Sequence, residues 1–272
     1  MKKFLLITAL VAALATSAFS DNIITTGSKT GSYYKYGHKL STFVPSQVIT
    51  SKGSVQNFDR LMSGKASIAI AQKDAWAWYS SKNPDASSTI EILGDLKMEC
   101  LYAVAKVGGK VSSDADMQKP GINIATGKIG SGTRVTWDYM SQLEPGFKKA
   151  TSIPKGGSRA LNKVATGDYD VYLSVQTPST NNKLVKTVLA NKDLEFVDIT
   201  DWDLNDKLPS GEAVYTHEKI DLAKGMFNDT ELKTICTTAS VFISTDWADN
   251  TENDEADTLA DALLNNKNFI IK

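Results

Sequence analysis

TTGSKTGSYYKYGHKL (residues 25–40) and GINIATGKIGSGTRVTW (residues 121–137) decide the fold. Each leaves a short apolar run, passes through a loop of Gly, Ser and Thr, and enters a segment of helical spacing. In the first, Asn22 to Thr26 reads as the strand. Tyr33, Tyr36, Leu40 and Phe43 then recur at three- and four-residue intervals, the mark of one buried helix face. In the second, residues 121–126 form the strand, GKIGSGT (127–133) the loop and RVTWDYMSQL (134–143) the helix.

The same unit recurs between them. A short strand at Val48–Thr50 meets SKGS (51–54), and a helix runs from Val55 to Met62, closed by Ser63-Gly64-Lys65 in the usual C-terminal manner. SIAIAQ (67–72) reads as a buried strand, followed by a helix through DAWAWYSS. ECLYAVAKV (99–107) leads out of this first block. After the second loop and its helix, ALNKVATGDYDVYLSV (160–175) supplies a helix, a Gly-Asp turn and a strand. Repeated strand–loop–helix units predict an α/β layer structure with mainly parallel strands, built twice. A strand at 233–244 and a helix from about Glu252 to Asn265 complete the chain. DNTENDEAD lacks the central Gly and terminal Glu of a calcium loop, so its acids are read as the favourable charge at a helix start.

The 272 residues suffice for one large or two medium domains with their own cores. The first twenty stand apart: Lys2 and Lys3, a largely apolar run Phe4–Ala15, and the small residues of Ala18-Phe19-Ser20. They read as a secretory signal peptide cut before Asp21. No Cys stands there to carry a lipid, so an exported, soluble mature chain is expected. The mature chain carries 28 basic against 31 acidic residues, a net −3, which argues against a nucleic-acid or anionic-membrane partner. Its only arginines are Arg60, Arg134 and Arg159. Cys100 and Cys236 read either as a disulfide, permitted in an oxidising compartment, or as two buried free thiols. Their spacing, and that of His38 and His217, fits no metal site, and no cofactor is expected.

The small-residue loops 27–32, 52–54 and 130–133 each precede a helix. Unpaired backbone N–H groups and the positive dipole end favour an anion there, glycine allows close approach, and Ser or Thr adds a donor. Such loops at matching points of two blocks would close on a ligand from both sides. Enzyme motifs are weak. Gly127 and Gly132 have P-loop spacing, but Thr133 stands where the lysine belongs. No GxSxG elbow exists, and Ser131 has no evident His partner.

These residues resemble a known family. TTGSKTGSYYKYG, TSKGSVQNFDRLMSGKASIAIAQKD and IATGKIGSGTRVTW are similar to the TAXI solute receptors of tripartite ATP-independent periplasmic (TRAP) transporters. GDYDVYLSVQTPSTNNKLVKTVL matches the segment after the second block's buried strand, and YTHEKIDLAKG with the following strand resembles the return crossing. The pairing of the Gly/Ser loops with G-S-x-x-N (53–57) and A-Q-x-D (71–74) carries the likeness.

The resemblance implies a type II periplasmic-binding-protein fold, two α/β lobes joined by a two-strand hinge with the ligand cleft between them. It divides the chain into a first lobe of 21–105 plus 212–272 and a second of 106–211. It implies a monomer that binds a small carboxylate or amino acid, such as glutamate or 2-oxoglutarate, and delivers it to a TRAP-type membrane permease, with no catalysis. Ligand contacts would come from Ser28, Tyr33, Tyr34, Ser54, Asn57 and Gln72, and from Ser131, Gly132, Thr133 and Gln176 of the other lobe. Arg134 and Arg159 are candidate anion partners. Lys52 adds a charge in the SKGS loop. The alternative from another class is a sensor partner or a periplasmic enzyme on the same fold.

Overall fold

The computed structural model describes residues 22–223, 230–251 and 254–272. The signal-peptide segment and its cleavage point before Asp21 lie outside the described residues, as does Glu252. The first block runs β1 (Ile23–Thr25), α1 (Ser32–Leu40), β2 (Gln47–Ile49), α2 (Ser54–Met62), β3 (Ile68–Gln72), α3 (Lys73–Lys82), α4 (Ala86–Thr89) and β4 (Ile90–Lys106). The second runs α5 (Asp114–Met117), β5 (Asn123–Ala125), α6 (Gly132–Leu143), β6 (Thr151–Ile153), α7 (Gly157–Thr166), β7 (Val171–Gln176), α8 (Lys183–Leu189) and β8 (Leu194–Val197). The chain returns through β9 (Thr216–Ala223) and β10 (Thr230–Ser244) to α9 (Thr245–Asn250), α10 (Glu255–Asn265) and α11 (Lys267–Ile270).

The strands follow the order β2-β1-β3-β10-β4-β7-β5-β6, with β8 beside β4 and β9 beside β10. Parallel pairing within each block (β1 with β2 and β3, β5 with β6 and β7) matches the strand–loop–helix reading. β3 is buried along its whole length, as a central strand covered on both faces must be. α2 shows why its segment is helical: Ser54, Asn57, Phe58 and Leu61 are buried at i, i+3, i+4 and i+7.

β4 and β10 join the halves. β10 pairs with β3 and with the first half of β4, whereas the second half of β4 pairs with β7 and β8. The sequence pointed to only residues 99–107 of β4. Its first half, IEILGDLKM, is only partly buried and lacks the apolar run that marks a strand; long-range pairing with β10 forms it. Where the pairing partners change, Cys100 stands opposite Cys236, and the two are joined in a disulfide. That closes the alternative of free thiols.

The return segment is built from β9 and β10. β9 pairs only with the start of β10, so β10 alone makes the return crossing. Ile220, Leu222 and Leu232 pack in one core with Tyr102 and Val104 of β4, Leu161 of α7 and Val185 of α8. The stretch carrying β9 and the start of β10 thus shares a core with β4, α7 and α8. Among the described residues no helix is long and apolar enough to cross a membrane.

Candidate functional site

The carboxyl ends of β1, β2, β3 and β5 turn toward one another, and each hands the chain to a helix. The loops after β1 and β2 lead into α1 and α2, Gln72 ends β3 ahead of α3, and 126–131 leads into α6. Together with the end of β7 and the start of α8 they enclose a cleft of about 1410 Å³. Three helix N-termini (α1, α2 and α6) open into it, from both lobes.

Of the residues expected at the site, Ser28, Tyr33, Ser54, Gln72, Ser131, Gly132, Thr133 and Gln176 line this cleft. Several are tied to their own lobe. Ser131 caps α6, accepting from the Arg134 amide and donating to the Lys128 carbonyl at 2.7 Å. The Thr133 hydroxyl accepts from the Val175 amide at 3.0 Å. Gln176 donates to Ser174 and accepts from Asn182, both at 2.7 Å. Gln72 differs: it is almost wholly buried, and its Nε2 has no partner. A buried donor left unpaired is costly, so Gln72 offers a bond to whatever fills the cleft.

The structure places four candidates elsewhere. Tyr34 packs edge-on against His38 one turn on, with ring centroids 4.6 Å apart, and does not line the cleft. Asn57 is fully buried behind it. It accepts from Thr25 Oγ1 at 2.7 Å and donates to the Thr26 and Ile70 carbonyls at 2.8 and 2.9 Å, tying β1 to β3. Asn57→Ala is expected to lower the unfolding free energy by about 2–3 kcal/mol, because those partners stay buried. Urea denaturation tests this, and a loss under about 1 kcal/mol would contradict the bracing role. Arg134 turns along its helix to Asp138 at 2.9 Å. Arg159 borders a separate cavity of about 620 Å³ with Lys155 and Lys163. The third arginine, Arg60, donates to Thr25 Oγ1 and the Thr50 carbonyl at 2.7 and 2.8 Å. The cations of the cleft are lysines instead: Lys35, Lys52, Lys128 and Lys183.

One residue escaped the sequence reading. Glu99 lines the cleft and accepts from the Tyr33 hydroxyl at 2.7 Å. Burial, with a smaller contribution from the charge of Asp74, raises its carboxyl to about 7 against the relief of the Tyr33 bond. The signal available was an acid at the head of the apolar run ECLYAVAKV. Just outside the cleft, Asp74 is buried and accepts from Thr136 Oγ1 at 2.5 Å, Tyr215 OH at 3.0 Å and the Ala75 amide at 2.7 Å. Burial pushes it up to about 6, and these bonds hold it from rising further. Thr136 sits on α6, so this network crosses from the first lobe to the second.

The lobes also touch through glycines. Gly53 abuts the Gly130 carbonyl, and Gly132 abuts the Gln72 carboxamide, so a Cβ at either would overlap the opposite wall.

Two α/β lobes on a pair of shared long strands, with helix N-termini facing across the cleft, constitute a type II periplasmic-binding-protein fold. The chain belongs to the NMT1-like family, whose model matches residues 24–270. No curated protein matches it in sequence. Solved structures share the fold at low identity. XAC2383 from Xanthomonas citri, bound to ATP, has a TM-score of 0.57 at 11% identity, over 89% of this chain and 82% of that one. The amino acid ABC transporter substrate-binding protein AbpA from Streptococcus pneumoniae, bound to L-arginine, has a TM-score of 0.51 at 12% identity over 92% of each chain. The ancestral amino acid-binding protein AncCDT-1, a precursor of cyclohexadienyl dehydratase, has a TM-score of 0.50 at 11% identity, again over 92% of each.

Proposed function

We propose that the mature chain is a periplasmic receptor that captures a small carboxylate or amino acid between its lobes and delivers it to a TRAP-type membrane permease. The observation that carries the binding reading is the cleft itself: three helix N-termini from two lobes face one space, and the buried Gln72 Nε2 there has no partner. Oriented N–H groups at helix ends bind anions. Export rests on the signal-peptide pattern of residues 1–20, and delivery to the permease on the likeness to TAXI receptors. A monomer closing about its shared strands rests on that likeness too. Within the cleft, Ser28, Ser54, Gln72, Ser131, Gly132 and Thr133 would meet the ligand's anionic end. Binding without turnover rests on the likeness to solute receptors.

Native mass spectrometry of the mature protein, followed by thermal shift with amino acids, keto acids and dicarboxylates, tests this. A true ligand at a hundred times its Kd adds roughly 2.7 kcal/mol of stability, so a clear rise in melting temperature is expected. A panel without any shift would reject the receptor reading. A ligand consumed during incubation would replace it with an enzyme.

A further inference from the structure

We propose that Glu99 is an ammonium-recognising group, so that the cleft selects a primary-amine zwitterion, an α-amino acid, over the keto acid or dicarboxylate of similar skeleton. The inference rests on the receptor reading above and narrows its ligand class.

The geometry is that of a charged group without a counter-charge. The Glu99 carboxylate lines the cleft, and one oxygen accepts from Tyr33 OH at 2.7 Å. Among the described residues no Lys or Arg forms an ion pair with it. The contrast is nearby: buried Lys73, which follows Gln72, is paired with both Asp95 and Glu212. A carboxylate withdrawn from water needs a cation or a set of donors, and one phenol leaves most of its acceptor sites open. Four lysines line the same cleft on long flexible stems, yet none bonds to Glu99. The wall keeps this acceptor for something that enters.

Beside Glu99 the cleft asks for the opposite charge as well. The N-termini of α1, α2 and α6 and the unpartnered Gln72 Nε2 all present donors. A ligand that satisfies both carries a carboxylate and, beside it, a group with several N–H donors. An ammonium supplies three. A keto acid offers Glu99 only lone pairs, and a dicarboxylate adds like-charge repulsion.

Proton linkage gives a second readout. The groups facing Glu99 are Tyr33 and Tyr36 from α1 and Asp74 from α3, with Lys35, Lys52, Lys128 and Lys183 around the cleft. Desolvation first, then Asp74, places the Glu99 carboxyl at about 7, and an ammonium ligand binds only its ionised form. Amino-acid affinity therefore rises as pH increases through that value and falls about tenfold per unit below it.

Matched pairs test the proposal by calorimetry at pH 8: L-glutamate with 2-oxoglutarate, L-alanine with pyruvate, and L-leucine with 4-methyl-2-oxopentanoate. At least one amine is expected to bind 30-fold or more tighter than its keto partner. In Glu99→Gln, whose amide oxygen still accepts from Tyr33, that preference should fall at least tenfold and the pH dependence should flatten. If keto acids or dicarboxylates bind as tightly as amines, or the ratio survives Glu99→Gln, the Glu99 proposal fails while the receptor reading stands. If nothing on the panel binds, both are rejected.

Discussion

Gly53→Ala is expected to weaken ligand binding about 100-fold while the chain stays folded. Two effects act at this residue, and they separate. Its φ of +143° is a conformation that side-chain-bearing residues rarely adopt, so any substitution strains the entry to α2. That strain, roughly 1–3 kcal/mol, is felt whether the lobes are together or apart, and appears as a lower melting temperature. The second effect belongs to the closed arrangement alone. A Cβ here would lie on the Gly130 carbonyl, 2.9 Å from its carbon and 3.0 Å from the Ser131 Cα. These are backbone atoms held by Ser131 Oγ to the Lys128 carbonyl and by the Gly127 amide to the Lys155 carbonyl, so they cannot step aside. Overpacking of this kind costs about 3 kcal/mol, which is about two powers of ten in Kd. Gly132→Ala is the graded control. Its Cβ meets the Gln72 carboxamide, 2.8 Å from Cδ, the movable end of a side chain, and its own φ is negative-region helix, so a loss nearer tenfold is expected. Calorimetry with a ligand found by thermal shift, together with small-angle scattering of the liganded variants, reads both. Wild-type affinity in Gly53→Ala would mean that the loop contact is absent from the bound form.

The stability of the protein should decline with rising pH between about 4 and 7 through Asp74, and Asp74→Ala should cost about 2–4 kcal/mol from the two stranded hydroxyls. The sign follows from the shift. Asp74 has a folded value of about 6 against an ordinary 3.8, so the folded state holds its proton more tightly than the unfolded chain does. Its contribution is fully present below the unfolded value and is lost as pH rises through 6. The drop is at most about 3 kcal/mol, from 1.36 kcal/mol per pKa unit. Glu99, raised to about 7, adds a change of the same sign in the unliganded protein. Asp116 and Asp168 are shifted the other way by Lys119 and Lys163, so their losses come with acid, below this window. Asp74→Asn should therefore flatten the profile of urea-unfolding free energy between pH 5 and 7.5, while Asp74→Ala strands the Thr136 and Tyr215 hydroxyls in the interior. Parallel profiles for wild type and Asp74→Asn would show that Asp74 keeps its ordinary value. The faces that bear on it carry Tyr215 and Tyr139, both held protonated by burial and by their acidic neighbours, and among the described residues no lysine or arginine bonds to it.

Local chemistry in the chain was enough to find the repeated strand–loop–helix units. Each unit's signal is contained within about twenty neighbouring residues: a short apolar run, small residues, then 3.6-residue periodicity. The same local signal marked Ser28, Ser54, Ser131, Gly132 and Thr133, because a loop entering a helix is legible without knowing what it faces. Tertiary structure decided everything that depends on direction or on a distant partner. Asn57 and Gln72 are both buried amides near strand ends, yet Asn57 is tied to three partners while the Gln72 Nε2, at the cleft wall, has none among the described residues. The three arginines looked like the natural anion partners by residue type alone, and the fold turned each to carboxylates, carbonyls or another cavity. The first half of β4 has no apolar period of its own and exists because β10 pairs with it from 145 residues away in sequence, as Asp95 and Ser240 show. Glu99 is the sharpest instance. In sequence it is one acid at the head of a strand. Its meaning comes from the Tyr33 hydroxyl, the cleft wall and the absence of a paired cation among the described residues, relations through space that the order of residues does not encode.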